Sequence, residues 1–150
     1  MIMQNYKNLK ISIITVTRNC SAVIEDCLNS VKKQDYDNIE HIVIDGESSD
    51  NTLVLLRAKK TQLTQLVSER DSGIYDAMNK GIRLAKGDII GFLNSDDFYL
   101  NEKVISRVVS IFNNKSDLDA CYADLVYVDK MNTNKIIRYW KSNKFVLGLF

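Results

Sequence analysis

Residues 87–98 read Gly-Asp-Ile-Ile-Gly-Phe-Leu-Asn-Ser-Asp-Asp-Phe, an apolar run that ends in two adjacent carboxylates. Its apolar residues are Ile89, Ile90, Phe92 and Leu93. Such a run predicts a strand covered on both faces in a parallel sheet, and ligands of open α/β sheets bind outside the carboxyl ends of these strands. Asp96 and Asp97 therefore stand where they could hold a hard cation such as Mg²⁺, which prefers oxygen ligands. An ordinary Asp-containing turn is the alternative.

The composition is that of one globular domain. The chain has 150 residues, of which 45% are hydrophobic and 26% charged, and its net charge of +1 predicts no nucleic-acid partner. We find neither an apolar stretch long enough to span a bilayer nor a signal-peptide pattern. Cys20, Cys27 and Cys121 lack metal-type spacing, and we interpret them, with the single His41, as structural. A cytoplasmic, reducing location is expected.

Apolar runs alternate with helical periodicity along the first 114 residues. The predicted strands are Ile11–Thr17, Ile39–Ile44, Gln65–Ser68 and the strand of residues 89–93; the predicted helices begin near Ser21, near Ser49 or Asp50, at Ile74 (to Lys86, before Gly87) and at Asn101. For the third helix we predict an apolar face of Ile74, Met78, Ile82 and Ala85. Residues 121–128 and 135–140 indicate a hairpin. The predicted fold is α/β: a doubly wound, mostly parallel sheet with helices on both faces and a C-terminal β-hairpin.

Three polar loops follow three of these strands, and in a parallel sheet they emerge at one edge. They are Thr17-Arg-Asn19, Asp45-Gly-Glu47 and Ser95-Asp-Asp97. The single histidine argues against a catalytic triad of the hydrolase type. Neither a G-x-G-x-x-G nor a P-loop pattern occurs, which argues against dinucleotide-dependent redox chemistry and against a P-loop NTPase. The charge of a diphosphate bound at these loops would therefore have to be neutralised mainly by a metal.

Four ordered segments carry a resemblance to a known family. They are Ile11-Ser-Ile-Ile-Thr-Val-Thr17, Val43-Ile-Asp-Gly-Glu-Ser-Ser-Asp-Asn-Thr52, Asp71-Ser-Gly-Ile-Tyr-Asp-Ala-Met-Asn-Lys-Gly81 and Asn94-Ser-Asp-Asp97. Together they resemble family 2 glycosyltransferases, which have a GT-A-type fold. The resemblance implies an inverting, metal-dependent enzyme of polysaccharide biosynthesis. Such an enzyme moves a sugar from a nucleotide-diphosphate donor to a glycan or lipid-linked acceptor.

The resemblance also implies roles for matching residues. Asp97 corresponds to the acid that coordinates Mn²⁺ or Mg²⁺ on the donor diphosphate, and Asp96 to the acid that contacts the ribose or assists the metal. Asn94 replaces an acid that the family often has first in this motif. We predict donor contacts from ten residues: Val16, Thr17, Asn19, Asp45, Glu47, Asp76, Asn79, Lys80, Ser95 and Asp96.

Two departures and several alternatives accompany these roles. Asp45 matches the acid that ends the second strand, but Gly46 stands where family members often have a second, base-reading acid. Residues 76, 79 and 80 lie on a helix that the family places beside the diphosphate, with a solvated helix face as the alternative. Arg18 could reach a phosphate or be solvated. The hairpin aromatics could form a sugar platform, although packing against the sheet is favoured: Tyr122, Tyr127, Tyr139 and Trp140.

We divide the chain by function into an N-terminal extension (1–9), a donor-binding domain (10–129) and a hairpin strand with the start of an acceptor region (130–150). Because it ends on the apolar run 145–150, we expect a truncated chain without the family's general base; Asp124 and Asp129 remain candidate acids. Self-association and peripheral attachment to the inner membrane face are further expectations. The alternatives are a catalytically incomplete nucleotide-sugar-binding fragment and a sugar-phosphate nucleotidyltransferase, which would need a basic Gly-rich loop.

Overall fold

A computed structural model describes residues 8–115 and 117–143. These residues group into two compact units that divide after Asn114. The N-terminal extension lies outside the described residues except for its last two positions, and so does the apolar run 145–150. The functional boundaries given above remain predictions.

The first unit alternates strands and helices along the chain. Its elements are β1 (Ile11–Thr17), α1 (Ile24–Lys32), β2 (Ile39–Asp45), α2 (Thr52–Ala58), a 3₁₀ turn (Lys60–Gln62), β3 (Gln65–Ser68), α3 (Ile74–Leu84), β4 (Ile89–Phe92) and α4 (Val104–Asn114). The predicted alternation is confirmed. Helices α1, α2 and α4 begin two to three residues later than the sequence suggested. Residues 21–23 form a turn, and Asp50 and Asn101 accept hydrogen bonds from the backbone N–H groups two residues on.

The four strands form one parallel sheet in the order β3-β2-β1-β4. Strands β1 and β2 pair along their whole length, so that Ile11 lies beside Ile39 and Thr17 beside Asp45. Both strands are buried, as their β-branched residues predict. The carboxyl ends of β1 and β2 therefore finish level with each other.

Helices cover both faces of the sheet. On one face Ile11, Ile13 and Val43 pack with apolar residues of α1, α2 and α4. On the other face Ile14, Val16, Ile42 and Ile44 pack with Ala77 of α3. The doubly wound arrangement that we predicted is confirmed.

The face by which α3 packs agrees with our prediction in part, since Met78 and Ala85 are partly buried against the core. Ile74 and Ile82 are exposed, and the buried residues of α3 are Ala77 and Gly81. Gly81 lies directly over Ile14 of β1, where a Cβ would come closer than 3.0 Å to the isoleucine side chain. Small residues allow α3 to lie close to the sheet, whereas Ile74 and Ile82 of the predicted face point away from the core.

Strand β4 is not covered on both faces, which corrects another prediction. It pairs only with β1 at one edge of the described sheet. Ile90 and Phe92 are 41% and 46% exposed, whereas Leu93 just beyond the strand is buried. The exposed pair lies on the α3 side, where α3 packs on β1 and β2 and leaves the edge strand uncovered.

The second unit is an antiparallel hairpin of β5 (Leu125–Val128) and β6 (Ile136–Trp140) with a bulge beside Tyr127. Its first strand is shorter than predicted, since residues 121–124 are not in a strand. The Arg138 guanidinium lies 5.0 Å from the centroid of the Trp140 ring and 5.8 Å from that of Tyr127. The four aromatics of this unit named above are exposed, and both roles considered for them stay predictions.

Among residues 8–115 and 117–143 no helix has the length and apolarity needed to cross a bilayer.

Candidate functional site

Three loops emerge at the carboxyl edge of the sheet, after β1, β2 and β4. The loop after β2 begins at Gly46, whose N–H donates to the carbonyl of Thr17 at 2.9 Å and continues the pairing of the strands. Helix α3 also begins at this edge, because it follows the carboxyl end of β3 and returns across the sheet. The three loops and the start of α3 therefore lie at one edge of the sheet, as predicted, and we call the space between them the crevice.

Side-chain hydrogen bonds join the loop after β1 to the loop after β2. The Asn19 Oδ1 accepts from the backbone N–H of Ser49 at 2.8 Å, and the Asn19 N–H donates to Ser48 Oγ at 2.9 Å. Cys20 N–H donates to Thr52 Oγ1 at 2.8 Å. Asn19 and Glu47 have positive φ angles of 55° and 57°, and the Glu47 side chain is exposed. Asn19 thus holds the loops together from its own backbone and side chain.

Asp50 completes this junction. Its Oδ2 accepts from Ser21 N–H at 3.1 Å and its Oδ1 from Thr52 N–H at 2.9 Å. The hydrogen bond to Thr52 is the main reason why the pKa of Asp50 lies well below its usual value, and the bond to Ser21 adds to the effect. The charged carboxylate therefore ties the residues before α1 to the start of α2.

Asp45, a predicted donor contact, is fully buried. One oxygen accepts from Ser68 Oγ at 2.6 Å and from Ser48 N–H at 3.2 Å, and the other accepts from Ser48 Oγ. One oxygen thus has partners on β3 and on the loop after β2, and the other has a partner on that loop. In this structure Asp45 positions those two segments, and a base-reading role for it stays a prediction.

The acid pair lies in the turn after β4, with both Asp96 and Asp97 exposed. Asn94 Nδ2 donates to Asp97 Oδ2 at 3.2 Å, and the Asp97 N–H donates to the Asn94 carbonyl at 3.0 Å. Within the described ranges Asp96 has no hydrogen bond or ion pair through its side chain. Burial raises the pKa of the Cys27 thiol to about 12, and the negative charges of Asp97 and Asp96 contribute to the rise. The turn is a local concentration of negative charge.

This donor set fits a hard divalent cation that shares its coordination with a ligand. Asp96 and Asp97 offer free carboxylate oxygens, but residues 8–115 and 117–143 contain no group of three or more His, Cys, Asp or Glu side chains able to hold a metal. Mg²⁺ is often bound by one or two carboxylates together with substrate phosphates, and this set corresponds to that type of site. The metal requirement itself remains a prediction.

The predicted contacts in β1 and in the turn after β4 differ in what they can offer a ligand. Val16 belongs to the core on the α3 face, so only its backbone can reach a ligand. Thr17 is 6% exposed, and its hydroxyl has no hydrogen-bond partner within the described chain. Ser95 is buried, with its hydroxyl 3.1 Å from Cys20 Sγ. A buried polar group without a partner is uncommon, which makes Thr17 the strongest ligand candidate of the three.

Three predicted residues lie on the first two turns of α3. Asp76 Oδ2 accepts from Ser72 N–H at 3.1 Å, and the Asn79 side chain is exposed. Lys80 Nζ donates to the Arg70 carbonyl at 2.7 Å and forms an ion pair with Glu69 at 2.9 Å. The bond to Glu69 is the main reason why the pKa of Lys80 is raised. Lys80 therefore holds the loop before α3, and Asn79 is free to face solvent or a ligand.

The two candidate acids of the second unit serve its own structure. Asp124 Oδ1 accepts from Ser142 N–H and Oγ at 2.8 and 2.7 Å, which lowers the pKa of Asp124. Asp129 Oδ1 accepts from the N–H groups of Met131 and Asn132 in the turn of the hairpin. The lowered pKa makes Asp124 a weaker base. The Asp129 carboxylate is engaged in the hairpin turn.

Sequence reasoning gave no role to Asp71, which the structure brings to the crevice. The Asp71 carboxylate occupies the space where a side chain at residue 46 would stand, beside Arg18. The sequence reasoning also gave no role to Ser48 and Ser68, the hydrogen-bond partners of Asp45. The signal available in the sequence was Gly46, because a glycine where the family often has an acid leaves space for a side chain from another loop.

Comparison with known proteins decides the family. The family described as Glycosyl transferase family 2 matches residues 12–147, which is most of the chain. The chain belongs to glycosyl transferase family 2. The resemblance carried by the four sequence segments is thereby confirmed, and the parallel sheet with helices on both faces is the GT-A fold of this family.

Three relatives illustrate the match. A "PGL/p-HBAD biosynthesis glycosyltransferase" of Mycobacterium bovis (strain BCG / Pasteur 1173P2) is 35% identical over 118 residues, covering 77% of this chain and 46% of the relative. The Escherichia coli "UDP-Glc:alpha-D-GlcNAc-diphosphoundecaprenol beta-1,3-glucosyltransferase WfaP" is 31% identical over 65% of this chain and 39% of its own length. The mannosyltransferase PcManGT of Pyrobaculum calidifontis, solved with GDP-Man and Mn²⁺, superposes with a TM-score of 0.66 at 25% identity, over 85% of this chain and 37% of that one. The family 2 chain described here spans about half the length of the curated relatives that it matches.

Proposed function

We propose that this chain forms the donor-binding part of an inverting, metal-dependent glycosyltransferase. It would take a nucleotide-diphosphate sugar and serve transfer to a glycan or lipid-linked acceptor in polysaccharide or glycolipid synthesis. The observation that carries the proposal is the meeting of three loops at one sheet edge, with the exposed acid pair Asp96 and Asp97 at the tip of β4. Family membership supports it, as do a relative named for glucosyl transfer from UDP-Glc and a mannosyltransferase structure solved with GDP-Man and Mn²⁺.

Asp97 and Asp96 would hold the divalent cation, and the cation would supply charge neutralisation for the leaving nucleoside diphosphate. The remaining side chains bind and orient the donor. The unpaired Thr17 hydroxyl would gain a hydrogen bond at the floor of the crevice, and the exposed Asn79 amide would face the phosphates from α3. The junction of Asn19 with the loop after β2 keeps the crevice walls in place without a ligand, which reduces the ordering cost of binding.

The test is calorimetric titration of UDP and GDP into the chain in Mn²⁺, in Mg²⁺ and in EDTA. We expect binding that requires the metal and that falls at least tenfold in Asp97→Asn, whereas Asp37→Asn, an exposed acid that follows α1, serves as the charge-matched control. Equal affinity in EDTA would show that the metal role is wrong. Absence of binding by either nucleotide in any buffer would refute donor binding altogether.

A second candidate, nucleotide-sugar binding without transfer by this chain alone, is favoured by one observation. The two acids that we considered as bases, Asp124 and Asp129, are engaged in the hairpin unit. The discriminating assay offers UDP- and GDP-sugars with glycan and diphospholipid-linked acceptors, and follows product and its anomeric configuration by NMR. Turnover with inversion supports the enzyme; donor binding without turnover supports the second candidate.

Cytoplasmic location and attachment to the inner membrane face accompany the proposal. The three cysteines are free, which fits a reducing compartment. Fractionation of cells that express the chain, followed by a salt wash of the membranes, would separate a soluble pool from a peripheral one. Sedimentation of the purified chain over a range of concentrations tests self-association.

A further inference from the structure

One face of the hairpin formed by β5 and β6 carries two aromatic rings and a cation. Directly opposite residues of an antiparallel pair lie on the same face. Leu125 lies opposite Trp140, and Tyr127 lies opposite Arg138, so these four side chains share one face, which we call the aromatic face. Leu125, Tyr127 and Trp140 are 55%, 47% and 49% exposed, and Arg138 is exposed as well. The aromatic face is therefore an apolar surface that a partner can cover.

The geometry of the aromatic face suits a boundary between water and an apolar phase. The ring centroids of Tyr127 and Trp140 lie 6.5 Å apart with their planes inclined by 40°, and the Arg138 guanidinium lies over both rings. Tryptophan, tyrosine and arginine each join an apolar body to a polar tip, and such side chains are favoured at membrane interfaces. The inclined rings, by contrast, do not form one flat surface for a sugar ring.

The hairpin also carries an excess of positive charge. Residues 125–141 contain four cations and one acid. The cations are Lys130, Lys135, Arg138 and Lys141, and all four are exposed. The acid, Asp129, accepts hydrogen bonds from two N–H groups of the turn and lies 3.9 Å from Lys135 Nζ. Asp124, which precedes β5, accepts two hydrogen bonds from Ser142. The free charges along the hairpin are therefore mostly positive.

Charge favours a lipid surface over a second copy of the chain as the partner. In a symmetric dimer the same patch meets itself, so two aromatic faces would bring two Arg138 guanidinium groups together. None of the four residues of the face is an acid that could pair them, and like charges repel each other. A layer of anionic headgroups supplies the opposite charge at the level of Arg138, while the rings of Tyr127 and Trp140 enter the headgroup region.

We propose that the aromatic face binds the surface of an anionic phospholipid bilayer, with Arg138 and the lysines of the hairpin paired with lipid phosphates. The proposal assigns a surface to the membrane attachment proposed above, and it does not depend on donor binding. Such attachment would hold a donor-binding chain on the same surface as a lipid-linked acceptor, and this consequence alone rests on the proposed function.

Trp140 is the single tryptophan of the sequence, so its fluorescence reports the aromatic face directly. The full chain is titrated with vesicles of phosphatidylcholine alone and with vesicles of phosphatidylcholine and phosphatidylglycerol in equal amounts. We expect the mixed vesicles to shift the Trp140 emission to shorter wavelength and to bind about tenfold or more tightly than phosphatidylcholine alone, with an affinity that falls in high salt. Bromine-labelled lipid chains should quench the emission. Equal affinity for the two kinds of vesicle, or no change with either, would overturn the proposal.

Tyr127→Ser and Tyr139→Ser form a matched pair of variants, because Tyr139 lies opposite Val126 and therefore on the other face. Tyr127→Ser should lower the affinity for the mixed vesicles about fivefold or more, and Tyr139→Ser should leave it within about twofold of the parent. Leu125→Ser removes an apolar side chain of the same face without touching the contacts of Arg138 with the rings. It should also lower the affinity, so the test does not depend on Tyr127→Ser keeping its hairpin. Equal losses in the two tyrosine variants, or no loss in Leu125→Ser, would contradict the assignment.

Arg138→Gln separates the charge from the apolar contacts, and it should lower the affinity for the mixed vesicles about fivefold and reduce its salt dependence. Other partners have their own signatures in the emission of Trp140. A shift that depends on protein concentration without lipid would indicate a second copy, and a shift with maltoheptaose alone would indicate a sugar platform. Either result without a response to vesicles would overturn the proposal. Calorimetry with UDP and GDP is unaffected by these outcomes, so donor binding and membrane binding fail separately.

Discussion

The side-chain oxygen of Asn19 accepts a hydrogen bond from the backbone N–H of Ser49 at 2.8 Å, although the two residues follow different strands. Asn19 has a φ of 55°, a conformation that asparagine adopts more readily than most residues. The same residue donates its own N–H to Ser48. One residue therefore supplies both the turn after β1 and the link to the turn after β2, on which the shape of the crevice depends.

Asn19→Ala should destabilise the chain by about 1–2 kcal/mol. The variant loses the hydrogen bond to Ser49, and alanine adopts a positive φ less readily than asparagine. Asn19→Gly is the matched variant: it loses the same bond but adopts this φ freely. Urea unfolding measures both. A larger loss in the glycine variant than in the alanine variant would contradict the backbone part of this account.

Glu40 lies near the amino end of β2, at the edge of the sheet opposite the crevice, and it should stabilise the fold at neutral pH. It is 2% exposed, and it accepts from Ser12 Oγ at 2.5 Å and pairs with Lys10 Nζ at 2.5 Å. Burial alone would raise the pKa of Glu40, but hydrogen bonds from Lys10, Ser12 and the Lys86 N–H outweigh it and lower the pKa from 4.5 to about 2. Glu40→Gln should therefore cost about 1–3 kcal/mol at pH 7.

The pH dependence of this contribution has a defined sign. A carboxyl group whose pKa is lower in the folded state stabilises it above the unfolded pKa, and that stability is lost as the pH falls from about 4.5 to about 2. Unfolding free energies across this range should fall less steeply in Glu40→Gln than in the parent, while Ser12→Ala keeps a titrating carboxylate and a steeper slope. Equal slopes in Glu40→Gln and the parent would refute the assignment.

Protonation of His41 in the unfolded chain should lower the stability of the fold in mild acid. Its ring nitrogen Nε2 lies 3.0 Å from Thr15 Oγ1, and burial lowers the pKa of His41 from 6.5 to about 4. The unfolded chain therefore takes up a proton first, and stability falls by about 3 kcal/mol as the pH drops from 6.5 to about 4. His41 is the single histidine of the sequence, so one imidazole NMR signal reports the titration.

A midpoint of that signal near 6.5 in the folded chain would show that the ring is not held neutral by burial. His41→Asn is the control for the unfolding measurements, because its amide does not titrate. Its unfolding free energy should change less between pH 6.5 and 4.5 than that of the parent.

Gly81→Ala should destabilise the chain by about 1–3 kcal/mol, because its Cβ would overlap Ile14 and push α3 away from β1. Gly91→Ala is the matched variant, since its Cβ would meet only Ile13 Cδ1 at 3.2 Å, a contact that a small side-chain movement relieves. Thermal and urea unfolding should show a clear loss for the first and a small change for the second. Similar losses at the two glycines would mean that the close approach of α3 does not limit stability.

Local patterns were sufficient for the elements and their order. The β-branched runs of β1 and β2 are buried on both faces, and such runs carry that information within a few residues. The loops after β1, β2 and β4 were also predictable at one edge, because parallel strands place their carboxyl ends together. The coverage of β4 and the burial of α3 through Ala77 and Gly81 were not predictable, because they depend on which element lies opposite and how closely.

For the site, the sequence by itself determined which acids are present and which strand each follows: Asp45 after β2, and Asp96 and Asp97 after β4. Only the tertiary structure decided which of them are free. Serines from two segments take up both oxygens of Asp45, whereas Asp71 enters the space above Gly46 with one oxygen unpaired. The physical reason is that a carboxylate's availability depends on donors brought to it by folding, and those donors are distant along the chain.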